Sequence, residues 1–128
     1  MGKRVIVFVL LFAVFTGYYF FKDLLSQEEV FGAEAPAEAR AARIGEILAD
    51  PGAYSGQVLV VEGKISLVCG SGCWFYMVPA GEREGIVVDL APAGLTVPRR
   101  INARVRVYGG VLVDGNRVLL EGLRVEFL

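Results

Sequence analysis

Hydrophobic and polar positions follow three successive regimes along the chain. The first is unbroken: from Val5 to Phe21 the residues VIVFVLLFAVFTGYYFF carry no charge over 17 positions. At about 1.5 Å rise per residue this run spans about 26 Å as a helix, close to the hydrocarbon thickness of a bilayer. Lys3 and Arg4 precede it, so the positive-inside rule predicts a cytoplasmic N-terminus and an exported remainder. Tyr18 and Tyr19 lie at the far end, where amphipathic rings favour the membrane interface. A cleaved signal peptide would need small residues shortly after the run. The first small-x-small pattern is Ala33-Glu34-Ala35, too far downstream, and no cysteine lies close enough for a lipoprotein anchor. The expectation is an uncleaved single-pass anchor in a bacterial inner membrane.

The second regime, KDLLSQEEVFGAEAPAEARAA from Lys22 to Ala42, has no apolar period and is rich in Ala and Glu. Nothing stops a helix before about Val30, so residues 1–30 are expected to form the anchor. Gly32 and Pro36 interrupt the rest of this stretch, and residues 31–42 read as a linker.

The third regime, residues 43–128, reads as one β domain. Ile44, Ile47 and Leu48 give a short amphipathic helix over 44–49, which Pro51 and two glycines end. From Gln57 the period becomes two. Leu59, Val61, Ile65 and Leu67 are expected on a buried face, with Glu62, Lys64 and Ser66 opposite and a bend at Gly63. Further strands are predicted over 74–78, 86–90, 101–112 and 117–127. Ile101, Ala103, Val105 and Val107 point inward in the fourth, and Asp114-Gly115 marks the last hairpin. The apolar parity of the fifth slips between Leu120 and Leu123, which predicts a bulge at Glu121-Gly122. Five antiparallel strands with a long bent first strand and an irregular link before the fourth predict a mainly β, five-stranded OB-fold barrel preceded by a short helix. Closure removes the edges that an open sheet of this size would expose.

Charge narrows the function classes. Residues 43–128 hold nine Lys/Arg and nine Asp/Glu, so the basic surplus of a nucleic-acid binder is missing. The chain has no histidine, which excludes Ser-His-Asp and Cys-His catalysis, His-Glu-x-x-His zinc sites and histidine-ligated haem. No Gly-rich loop leads into Lys-Ser/Thr, and the carboxylates are not paired for acid/base work. No enzyme and no cofactor is implied.

The remaining chemistry lies in VCGSGCWFYM, residues 68–77. An exported pair of thiols is by default a structural disulfide. Cys69 ends the first strand and Cys73 opens the second, close enough across a turn to be bridged, with Gly70 and Gly72 expected to serve positive φ or close approach. A soft-metal site of Cys69, Cys73 and Met77, suited to Cu(I), is one alternative. A thiol-redox pair is another, although Cys-x-x-x-Cys is not the helix-borne Cys-x-x-Cys that depresses a thiol pKa. Trp74, Phe75, Tyr76 and Met77 alternate faces, so one parity is core and the other is surface. The candidate binding face is Trp74, Tyr76 and Met77 with Arg104 and Arg106 of the fourth strand.

ILADPGAYSGQVLVVEGKI resembles the opening of many small bacterial OB-fold domains, where a short helix and Asp-Pro-x-x-Tyr-x-Gly lead into strand one. VCGSGCWFYM is similar to exported OB-like domains whose first hairpin carries Cys, a few residues and Gly-Cys-Trp. The resemblance covers about residues 44–78 and implies the barrel fold in an extracytoplasmic compartment. An anchor leading into an exported OB barrel also resembles the haem chaperones of cytochrome c maturation. Those attach haem through a histidine that this chain lacks.

The expected role is a membrane-anchored extracytoplasmic binding or assembly module, an accessory subunit docking a protein partner, with residues 5–21 in the bilayer. The alternatives are thiol-redox or Cu(I) handling through Cys69 and Cys73, and oligonucleotide or oligosaccharide binding, for which the fold is the only support.

Overall fold

The computed structural model describes residues 2–25 and 29–128. Helix α1 (Gly2–Leu25) carries the apolar run, and the stretch Gly2–Phe20 is long and apolar enough to cross a membrane with none of it buried by the protein. The expected continuation of the helix toward Val30 falls partly on residues 26–28, outside the described residues. Val30 itself belongs to a strand.

Two short strands, β1 (Val30–Gly32) and β2 (Arg40–Ala42), precede α2 (Ile44–Ala49) and a 3-10 turn at Pro51–Tyr54. The barrel strands are β3 (Val58–Val68), β4 (Trp74–Val78), β5 (Ile86–Asp89), β6 (Arg104–Asp114) and β7 (Arg117–Phe127), with a second 3-10 turn at Ala91–Ala93. β3 pairs with β4, β4 with β5, β5 with β7 in parallel, β7 with β6, and β6 returns to β3. This ring closes a five-stranded barrel with the strand count and irregular third-to-fourth link expected of an OB-fold.

The long first strand makes closure possible. β3 gives residues 58–64 to β6 and residues 64–68 to β4, changing partners at the bend next to Gly63. Alternation fills the interior: Leu59, Val61, Ile65, Phe75, Met77, Val88, Val105, Val107, Leu120 and Val125 are fully buried. Ile44 and Ile47 of α2 join this core.

Two register shifts set which side chains face out. The one between Ile65 and Leu67 turns Leu67 outward, half exposed, and brings Val68 in. Simple alternation put Leu67 inside, and a bulge reverses parity for every residue after it. The predicted slip in the last strand is present: Gly122 pairs with Gly109 and Arg124 with Tyr108, so Leu123 is the extra residue, just past the expected Glu121-Gly122. Ile101, expected inward on a strand, is exposed at a turn where Asn102 takes a φ of 71°, and β6 starts three residues later.

The segment read as a linker is tied into the sheet. β2 runs parallel to β3 along residues 59–61, the edge that β4 does not reach. β1 lies antiparallel to β7 at 124–126, beyond the end of its pairing with β5. Phe31 stacks edge-on to Phe127 at 5.8 Å, Glu29 pairs with Arg100 at 2.6 Å, and Arg124 donates to the Ala33 carbonyl at 2.8 Å. These strands cover the two edge stretches that a barrel of unequal strands leaves open. A chain beginning at Glu29 is therefore expected to stay monomeric and to unfold cooperatively. One beginning at Arg43 is expected to lose about 2 kcal/mol or more, the burial of Phe31 alone accounting for much of this, and to self-associate. Denaturant midpoints and light scattering on the two truncations check this, and equal midpoints would restore the linker reading.

Candidate functional site: the cysteine turn and the outer apolar row

The turn between β3 and β4 is held by four backbone hydrogen bonds. Cys69 N–H donates to Trp74 O at 3.0 Å and Gly72 N–H to Cys69 O at 2.8 Å. Leu90 N–H donates to Cys73 O at 2.9 Å and Val97 N–H to Gly72 O at 3.0 Å. Gly72 is buried at a φ of 76°, and a Cβ there would collide with the Val97 carbonyl oxygen. Gly70, expected to share this role, has open space around its Cα and no positive φ. Only the second glycine is required by the turn.

Cys69 and Cys73 are free thiols with their sulfurs 3.7 Å apart, against about 2.05 Å in a disulfide. The expected staple is therefore not formed. The backbone bonds fix both cysteines, and the two thiols close on the Ser71 hydroxyl instead: its Oγ donates to Cys73 Sγ at 3.2 Å and lies 3.5 Å from Cys69 Sγ. The Ser71 side chain, then the amide of Ser71 and the Cys73 thiol, hold the Cys69 pKa below its ordinary value. The thiolate is the reactive form, so Cys69 is expected to alkylate below the ordinary thiol midpoint of about 8.5. In Ser71→Ala that midpoint should rise. Iodoacetamide rates against pH, read per cysteine by mass spectrometry, check this; an unchanged profile would show that Ser71 does not tune the thiol.

Met77 does not join the cysteines. It shares parity with Phe75, is fully buried, and packs against Gly63 inside the barrel, so the three-ligand soft-metal set is corrected to a pair of thiols. Trp74 and Tyr76 have the opposite parity and are half-buried on the outside. The Tyr76 hydroxyl accepts a 2.7 Å bond from Gly85 N–H, pinning the turn after β4.

The arginines lie elsewhere. Arg106 faces Glu62 and Glu126 across the neighbouring strands, with ion pairs of 2.8 and 3.5 Å, and the Glu62 hydrogen bonds raise its pKa. Arg104 stands opposite Lys64. Both arginines line an open groove beside α2 and the β3 bend, where Arg43 and Lys64 are interleaved with Glu46, Glu62 and Glu82. The proposed face thus divides into an aromatic side next to the cysteine turn and a groove of interleaved charges.

The outer surface also carries a feature that strand-by-strand reading missed. The register aligns Leu67 with Tyr76, Tyr76 with Val87, Val87 with Leu119, and Leu119 with Leu112. Their chain neighbours Phe75, Ile86, Val88 and Leu120 fill the core, so these five side chains form an apolar row crossing all five barrel strands on the outside. Leu67 and Leu112 at its ends are 50% and 42% exposed. The signal lay in consecutive apolar residues such as Val87-Val88 and Leu119-Leu120, which leave one apolar side chain outside whichever way the strand faces. Compared with protein-family models and with curated proteins, the sequence matches none.

Proposed function

We propose that this protein is a membrane-anchored assembly module whose barrel lies on the extracytoplasmic side of a bacterial inner membrane and docks a second membrane protein. The observation that carries the reading is the outer apolar row from Leu67 to Leu112, next to the aromatic side chain of Trp74 on the same strand as Tyr76. Monomeric surfaces scatter apolar side chains singly, whereas contiguous ones mark interaction sites. On barrels of this architecture the second and third strands contribute to the binding face, and here they supply Tyr76 and Val87.

The anchor supports a partner that is itself in the membrane. Only residues 26–28 separate the end of α1 from Glu29, which is already bonded to the barrel through Arg100 and the Phe127 amide. Four extended residue steps reach about 14 Å at most, so a barrel on an inserted α1 stays close to the bilayer surface. Lys3 and Arg4 favour an inner N-terminus and therefore an outer barrel.

The test is native electrophoresis of detergent-solubilised membranes at native expression. The wild-type chain is expected in an assembly larger than its monomer. The double variant Leu67→Glu, Leu112→Glu is expected at monomer size with an unchanged unfolding midpoint, because both side chains are on the surface. Recovery of the wild type as a monomer alone would refute the reading. A larger species formed by purified chain alone would replace the second protein with another copy.

A further inference from the structure

We infer that Cys69 and Cys73 form a preorganised dithiol half-site for one thiophilic d10 metal ion of the zinc class, with two coordination positions left to donors from outside the chain. Distance supports this first. With metal–sulfur bonds of about 2.3 Å, sulfurs 3.7 Å apart subtend about 107° at the metal, the S–M–S angle of a tetrahedral site. A linear two-coordinate ion at the same bond length would need the sulfurs about 4.6 Å apart. The separation therefore fits a four-coordinate ion better than linear Cu(I).

Rigidity supports it second. Backbone bonds tie Cys69 to Trp74, Gly72 to Val97 and Cys73 to Leu90, and Gly72 is wedged against Val97, so both cysteines are held on the barrel without a long loop having to order around a metal. Preorganised ligands lose less freedom on binding. The Ser71 hydroxyl, within 3.2 and 3.5 Å of the two sulfurs, is placed to hydrogen-bond a bound thiolate, the outer-shell role that orients ligands.

The donor set is incomplete. Among the described residues no cluster of three or more His, Cys, Asp and Glu side chains exists, so the described residues supply two donors only. Binding deprotonates both thiols, releases two protons to solvent and changes no oxidation state. Water, a second copy of the turn or a docked chain completes the tetrahedron. The half-site does not depend on the docking role of the apolar row, since water can complete the tetrahedron in the purified chain.

The experiment uses the full chain in detergent, reduced and freed of reductant under argon, with Co(II) alone as the spectroscopic probe. The expected result is a sulfur-to-cobalt charge-transfer band with the intense visible absorption of tetrahedral cobalt, displaced by Zn(II). Cys69→Ser and Cys73→Ser should each abolish it while keeping wild-type circular dichroism, and Ser71→Ala should weaken cobalt binding roughly tenfold. Saturation at one metal per chain, or at one per two chains with dimer formation, both support the half-site and identify the source of the remaining donors. Absence of the band at excess cobalt, its persistence in either single-cysteine variant, or closure of the thiols to a disulfide that leaves cobalt unbound would overturn the inference.

Discussion

Replacing Phe75 by Ala is expected to lower the stability of the barrel by about 3–5 kcal/mol. The ring is the largest fully buried side chain among the described residues, and its strand partners Val68 and Val88 are also buried. Truncation leaves a cavity between strands that are closed into a ring, so the walls cannot collapse together as an open sheet would, and the cost should lie at the upper end of that range. For a domain of this size each kcal/mol moves Tm by about 4–8 °C, which predicts a fall of more than about 12 °C. Leu67→Ala, on the outer face only one strand away, should change stability by less than about 0.5 kcal/mol. Urea titration of both variants with a common m-value makes the comparison. A Phe75→Ala loss under about 1 kcal/mol would mean that this parity of β4 does not face the core.

Gly72→Ala is the second large effect, expected to cost at least about 2 kcal/mol. A left-handed backbone is strained by about 1–2 kcal/mol for any residue with a Cβ. Here the added carbon also meets the Val97 carbonyl oxygen, an immovable group because the amide of the same residue is bonded to Gly72 O. Relief requires the turn and the 95–98 connector to separate, which breaks that bond and displaces Cys73. Gly70→Ala is the control: two residues away in the same turn, it meets nothing within 4 Å and should be within about 0.5 kcal/mol of wild type. Equal midpoints for the two alanine variants would show that the turn is not clamped at Gly72.

The sequence made legible what alternation and composition encode locally. β4 and β7 have the bounds that alternation predicts, α2 spans Ile44–Ala49 as its period predicts, and the parity slip near Gly122 marks a real bulge. Three features were hidden, each for a physical reason. β1 and β2 are three residues long in an Ala- and Glu-rich stretch, too short to show a period, and exist because the closed barrel leaves edges for them to cover. The outward turn of Leu67 depends on a bulge fixed by pairing with β4, a tertiary fact. The 3.7 Å separation of the Cys69 and Cys73 sulfurs depends on how the two side chains close on the Ser71 hydroxyl in the folded turn, which spacing alone does not set. The candidate face was half legible for the same reason. Alternation left open which parity of Trp74 to Met77 faces out and so allowed Met77 on the face, whereas pairing puts Trp74 and Tyr76 outside and Met77 in the core. Only the barrel's closure separates the two aromatics from Arg104 and Arg106 and lines up Val87, Leu119 and Leu112 beside them.

The central claim is that α1 crosses a membrane once and holds the barrel on its outer face, and the two native cysteines provide the probe. Right-side-out spheroplasts, treated briefly with a membrane-impermeant reductant and chelator, would be exposed to a membrane-impermeant maleimide before lysis, and the carbonate-washed membranes analysed by mass. The account predicts a full-length chain in the membrane fraction, carrying label on Cys69 and Cys73 without lysis. Labelling that appears only after detergent lysis, or a labelled chain shortened at its N-terminus and released to the soluble fraction, would contradict it.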